Sequence, residues 1–244
     1  MAGADLLVRG LHPSGLKSLK GSWLCDWSWP NSPGAHLCMQ ALKDKIPPRP
    51  RRARHLNISD RKAAARKEGF ARRKAAHEKR GDCAGRAAGH LLSYVASLGE
   101  ELVIAGYMPI QTEIDVLPAM EALHALGHRI CVPVIVRPGL PLSFREWTPE
   151  SEMVSGPFGA AVPRAGDWLA PELLIVPLVA YDAQGFRLGY GGGYYDRSLE
   201  LLRKKKSTLA VGYAYSSQMG DVPVEITDQR LDAMATEDGI LTFS

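Results

Sequence analysis

A short apolar run that empties into a glycine-dense loop constrains this 244-residue chain more than any other feature. Leu173, Leu174, Ile175, Val176, Leu178 and Val179 are nearly continuous hydrophobes. A strand with water on one face alternates in polarity. An unbroken run fits a strand covered on both faces, as in a parallel sheet. Asp182-Ala183-Gln184-Gly185 reads as a turn. Gly189, Gly191, Gly192 and Gly193 then fall within five residues. Lacking Cβ atoms, such a backbone can approach a ligand closely and present its N–H groups. At a helix N-terminus those N–H groups form an anion site, and phosphate is the usual occupant.

A glycine cluster by itself is more often a plain turn than a phosphate loop, so the flanking residues matter. Arg187 stands at the loop entrance and can pair with phosphate in a bidentate way. Asp196 stands at the exit, where a carboxylate suits a magnesium ion carried by nucleotide phosphates. Tyr194 and Tyr195 offer flat, polar-tipped rings. The loop is not a P-loop, which needs Lys-Ser/Thr after its last glycine. It is not a dinucleotide loop either, because Tyr194 stands where G-x-G-x-x-G needs its third glycine.

The rest of the chain divides in two. Residues 1–55 combine Trp23, Trp27 and Trp29 with Ser, Pro and Gly, then break at Pro47-Pro48-Arg49-Pro50. No period of 2 or 3.6 is sustained there, so we expect a poorly structured or loosely attached extension. Met39 is a candidate downstream start, and Asp5, Asp26 and Asp44 argue against a transit peptide. Residues 56–244 are expected to form the folded domain. Residues 1–90 hold 19 Lys+Arg against 7 Asp+Glu, and the remainder 11 against 19. The basic front end suggests an anionic partner. No run of 18 apolar residues suggests a membrane span. Four cysteines without a CxxC pair read as reduced thiols, which points to the cytoplasm.

Within the domain, Ser59 or Asp60 is the expected cap of a basic helix over Arg61–Arg80, and a second helix follows over Cys83–Ser97. Lys62 and Arg66 stand four apart and share a face. Strands are expected over Glu101–Tyr107, Arg129–Val136, Leu142–Trp147 and Thr208–Tyr213. Helices are expected over Ile114–Leu126, closed by Gly127, and over Tyr195–Lys206. His124 and His128 flank that closing glycine with no third ligand, a poor metal site. Phe158 fits a core position and a ligand-stacking position about equally.

The string IVPLVAYDAQG followed by RLGYGGGYYDR resembles the 5-formyltetrahydrofolate cyclo-ligase family, and the likeness extends over about residues 60 to 240. The resemblance implies an α/β fold, a three-layer α/β/α sandwich with a mainly parallel central sheet. It implies MgATP-driven conversion of 5-formyltetrahydrofolate to 5,10-methenyltetrahydrofolate. Lys62 and Arg66 match the family's Lys-x-x-x-Arg, whose cations reach the ATP phosphates, although Lys67, Arg72 and Arg73 leave the register open by a turn. With Arg187 they form the implied catalytic set. The implied ATP site adds Leu188, Gly189, Tyr190, Gly191, Gly192, Gly193, Tyr194 and Tyr195. Met108, Glu113, Phe158 and Tyr194 are the implied folate contacts, and Asp196 with Asp232 the implied magnesium ligands. Val162 departs from the family's usual polar residue before Pro163. A monomer acting on small molecules is expected. Two other readings stay open: another small substrate on this scaffold, or nucleic-acid binding through the basic residues 43–80, which leaves the glycine loop unexplained.

Overall fold

The structure is a computed structural model, and it describes residues 57–243 apart from Arg80 and Glu100. The expectations for residues 1–55 lie outside the described residues.

Helix α1 (Ile58–Glu78) opens the described part. Its cap is Asn57, whose side chain accepts a hydrogen bond from Asp60 N at 2.8 Å. The expected cap at Ser59 or Asp60 is therefore corrected by two or three residues. Both residues are already helical, and Asn caps as well as either. Helix α2 (Cys83–Ala96) buries Ala87, Leu91 and Val95 on one face. Helix α3 (Leu117–Ala125) ends as foreseen at Gly127, with φ 97°. Gly127 N bonds to His124 O and His128 N to Leu123 O, which is a Schellman closure. His128 Nδ1 accepts from Leu102 N at 3.1 Å, so this ring tethers the next strand.

Five strands run parallel in the middle of an eight-stranded sheet. They are β1 (Val103–Ala105), β2 (Arg129–Val134), β7 (Leu173–Val176), β10 (Leu209–Tyr213) and β11 (Ala233–Thr236). β3 (Ser143–Glu146), β6 (Trp168–Leu169) and β12 (Gly239–Thr242) add antiparallel edges. The order is β12-β11-β10-β7-β1-β2-β3-β6. Two short ribbons stand outside it: β4 (Met153–Ser155) with β5 (Ala161–Pro163), and β8 (Ala180–Tyr181) with β9 (Arg187–Leu188). Helix α4 (Tyr194–Arg203) lies between β9 and β10.

The unbroken apolar run has the cause inferred for it. Leu173 and Ile175 join a core with Leu91, Met120 and Leu123 from α2 and α3. Leu174 and Val176 join a second core with Leu199 and Leu202 of α4. Both sheet faces are thus covered, giving three layers. Strand order reverses between β1 and β7: β1 continues to β2 on one side, and β7 to β10 and β11 on the other. Loops leaving the C-terminal ends of such a strand pair flank a crevice where open α/β sheets bind ligands. Here those loops are 106–116 and 177–193.

Candidate active site

The glycine loop joins β9 to α4 and keeps the conformations only glycine takes freely. Gly191 has φ 104° and Gly193 φ 63°. Gly193 caps α4 with no side-chain hydrogen bond, so the first N–H groups of the helix have no capping acceptor. Gly191 and Gly192 are exposed. A Cβ on Gly189 would meet nothing within 4 Å, so local packing does not require a glycine there. Exposed glycines leading into an uncapped helix of ten residues suit an anion.

Three cations converge on this loop from two directions. Arg66 Nε donates to Gly189 O at 2.9 Å, and its guanidinium lies 3.4 Å from where a Gly191 Cβ would stand. Arg187, only 7% exposed, donates through Nη2 to Asp196 Oδ1 at 3.0 Å and through Nη1 to Gln229 O. Burial lowers the Arg187 pKa while Asp196 opposes the shift, and the group stays charged throughout the physiological range. Arg197 donates to Gly192 O at 2.7 Å and covers the Tyr194 ring.

Lys62 meets a turn the sequence reading had not singled out. Its Nζ lies 2.8 Å from Glu225 Oε2 and 2.7 and 2.9 Å from the two Asp228 oxygens. Burial works against the Lys62 charge, but Asp228 and Glu225 outweigh it and raise the pKa. The turn locks itself, with Asp228 Oδ2 accepting from Glu225 N and Asp228 N donating to Glu225 O. The next N–H, of Gln229, donates to Asp196 Oδ1 at 3.0 Å. Asp196 and Asp228 are thus neighbours across one peptide.

Asp232 is elsewhere. It immediately precedes β11 at the N-terminal edge of the sheet, where Oδ2 accepts from Arg203 Nη2 and Ala210 N, both at 2.7 Å. Arg203 closes the last turn of α4, whereas Asp196 opens the first, about 10 Å away along the axis. The structure does not bring Asp196 and Asp232 together. The usable signal was position: a residue directly before a parallel strand sits at the edge away from ligands, while one earlier in the loop can lie nearer the active edge.

Of the remaining loop residues, Leu188 is buried and serves packing, while Tyr194 and Tyr195 lean on the second core. Tyr190 is 43% exposed, with its hydroxyl accepting from Arg73 Nη2 at 2.7 Å.

The loop after β1 forms the opposite wall. Met108 is half-buried against the first core. Glu113 is 7% exposed, and its Oε2 accepts from Ile110 N at 3.0 Å. Burial raises its pKa above the ordinary glutamate value; the Ile110 N–H and Arg73 oppose this without cancelling it. A cavity of about 350 Å³ borders Glu113, with His77, Pro109, Gln111, Asp115 and Tyr215 among its lining residues. Phe158 is 74% exposed with φ 58°, and its ring meets Tyr194 edge-on at 6.5 Å. It is no core residue. Among the described residues only Gln111, φ 53°, shares that non-glycine left-handed backbone. Phe158 meets Tyr194 at the start of α4 and Gln111 lines the Glu113 cavity, and backbone strain often accompanies function. A second hollow at Phe144, Trp168 and Leu202 has no charged lining.

Comparison with known proteins addresses the same residues. Residues 58–237 match the model of the 5-formyltetrahydrofolate cyclo-ligase family. The 5-formyltetrahydrofolate cyclo-ligase of Escherichia coli K12 is 36% identical over 144 residues, which span 54% of this chain and 76% of that protein. The Haemophilus influenzae protein of the same name is 33% identical over 133 residues, 51% of this chain and 70% of that one. The solution structure of Aquifex aeolicus 5,10-methenyltetrahydrofolate synthetase superposes with a TM-score of 0.61 at 27% identity, covering 74% of this chain and 92% of that one. The crevice between β1 and β7, its cations and glycines, and the match across nearly all described residues lead to one conclusion: the chain belongs to the 5-formyltetrahydrofolate cyclo-ligase family and is a ligase of folate one-carbon metabolism.

Proposed function

We propose that the crevice between β1 and β7 binds ATP on the glycine loop and 5-formyltetrahydrofolate beside Glu113, and joins them in an ATP-dependent cyclisation. The convergence of Arg66 and Arg187 on a glycine loop that shares the sheet's switch point with Glu113 carries this reading. The phosphates would rest on the N–H groups from Gly189 to Asp196. Lys62, Arg66 and Arg187 would neutralise them.

The folate formyl oxygen attacks the γ-phosphorus in line, and ADP leaves with the electron pair of the broken P–O bond. Phosphoryl transfer asks the protein mainly for position and charge compensation, which these cations supply. The phosphorylated formyl carbon is then electrophilic. The neighbouring folate nitrogen attacks it, loses its proton, and phosphate departs as the five-membered ring closes. No protein nucleophile is required. Glu113 can accept two hydrogen bonds from the amino-pyrimidinone edge of the pterin. Phe158 and Tyr194 offer rings at the open side, and Met108 an apolar wall.

Asp196 and Asp228 fit a magnesium ion better than Asp196 and Asp232. Asp196 Oδ2 makes no hydrogen bond among the described residues, and Asp228 would release Lys62 to the phosphates on engaging a cation. Such an ion, when bound, offsets phosphate charge. The small substrates suit a monomer in the cytoplasm, and among the described residues no helix is long and apolar enough to cross a membrane.

The decisive assay follows methenyltetrahydrofolate by its near-ultraviolet absorbance, with and without MgATP, for wild type and Asp196→Ala. ATP-dependent turnover lost in the variant is the expected result. Wild type that binds ATP without turnover would indicate a different substrate.

A further inference from the structure

Helix α1 carries a third cation that the proposed chemistry leaves unused. Arg73 follows Lys62 by eleven residues and Arg66 by seven, so all three lie along one side of the helix. It is 1% exposed, among the largest fully buried side chains described. A buried guanidinium is costly unless its donors are met. Nε donates to Thr112 Oγ1 at 3.1 Å and Nη2 to Tyr190 Oη at 2.7 Å. The third corner is open: among the described residues Nη1 has no hydrogen-bond partner, and it stands 3.6 Å from Glu113 Oε1. The plane is held between two rings, with Cζ 5.2 Å from the centre of Phe70 and 5.3 Å from that of Tyr190.

These polar contacts fall on two different walls of the crevice. Thr112 and Glu113 are on the loop after β1, and Tyr190 is inside the glycine loop. Resting on the reading of the crevice given above, we propose that Arg73 is a positioning residue that ties the folate-side loop to the phosphate loop through Glu113 and Tyr190. It lies behind Glu113 and does not line the cavity, so its influence reaches the folate through that carboxylate. At 3.6 Å Nη1 stands within ion-pair reach of Glu113 Oε1, so the arginine bears on that carboxylate by its charge. Coupling of this kind suits a reaction in which an oxygen of one substrate must meet a phosphorus of the other, because small misplacements are expensive.

The charge has a second effect. Groups acting on Glu113 from other elements are Arg73, Tyr190, Tyr107 and Tyr195, while His77 and Asp115 share its cavity. Arg73 is the one that favours the ionised carboxylate by its charge. Its removal therefore moves Glu113 protonation to higher pH.

The test compares wild type, Arg73→Met, Arg73→Lys, Tyr190→Phe and Glu113→Gln by steady-state kinetics over pH. Arg73→Met should raise KM for 5-formyltetrahydrofolate by about tenfold or more, change KM for ATP by less than about threefold, and shift the acid limb of kcat/KM upward. Arg73→Lys should keep the acid limb near its wild-type position without restoring the full KM. Tyr190→Phe loses only a hydroxyl from a partly exposed ring. Because that hydroxyl is the acceptor of a buried Arg73 N–H, the change should lower kcat/KM about threefold or more and lower Tm by a few degrees. In a Glu113→Gln background, Arg73→Met should leave pH dependence unaltered. Equal changes in both KM values with an unmoved acid limb, or a Tyr190→Phe enzyme indistinguishable from wild type, would overturn the inference. Wild type without turnover would instead defeat the functional reading beneath it.

Discussion

Two Arg–Asp pairs close the two ends of helix α4. At its N-terminus Arg187 meets Asp196 at 3.0 Å, and at its C-terminus Arg203 meets Asp232 at 2.7 Å. Each aspartate also accepts one backbone N–H, from Gln229 and Ala210 respectively. The local chemistry is nearly the same, yet the surroundings differ. The first pair lies where β7 and β9 deliver their loops to the crevice, beside exposed glycines and a carboxylate-bound lysine. The second clips the start of β11 to the start of β10 at the opposite edge. Ion-pair geometry alone does not distinguish a reactive site from a staple. The edge of the sheet does, because parallel strands send their ligand-binding loops out of one end only.

Substitutions on both pairs sharpen this contrast. The largest effect is expected at Asp196→Ala, with kcat/KM down by about a thousandfold or more. The change also leaves buried Arg187 without its carboxylate, at about 3 kcal/mol of stability or more, which chemical denaturation would register. Asp228→Asn should follow, with about a hundredfold loss of turnover and a weaker response to added magnesium. Asp232→Asn should behave oppositely: kcat/KM within about threefold of wild type and a stability loss of about 1–2 kcal/mol. An inactive, fully stable Asp232→Asn enzyme would reverse the assignment of the two ends.

The pH profile gives a smaller effect. Burial raises the Glu113 pKa, so the carboxylate is neutralised at a higher pH than an ordinary glutamate as the solution is acidified. The acid limb of kcat/KM for folate should therefore lie above the usual glutamate range and disappear in Glu113→Gln. Smallest of all, Gly127→Ala places a Cβ at φ 97° in the closing turn of α3, which belongs to neither Arg–Asp pair. It should cost about 1 kcal/mol in thermal denaturation and leave kinetics unchanged.

Much of this was legible in the chain. The apolar run of β7 announced a strand covered on both faces, because burial on two sides removes the need for polar alternation. Gly127 announced the end of α3, because few other residues take that conformation without strain. The glycine loop, Arg66, Arg187 and Asp196 could be named because their neighbourhood is written in consecutive residues or one helical turn. Asp228 and Asp232 could not be told apart in that way. They stand four apart in one irregular segment, with similar chemistry and no period to orient them. Arg73 was one of several cations on a basic helix, and nothing in Lys-Arg spacing marks the one that burial will isolate. What the sequence determined by itself was local: propensity, caps, covered strands and the composition of a loop. Tertiary structure alone decided which carboxylate reaches the crevice and which cation lies between its walls, because those contacts join residues far apart in the chain through the order and direction of the strands.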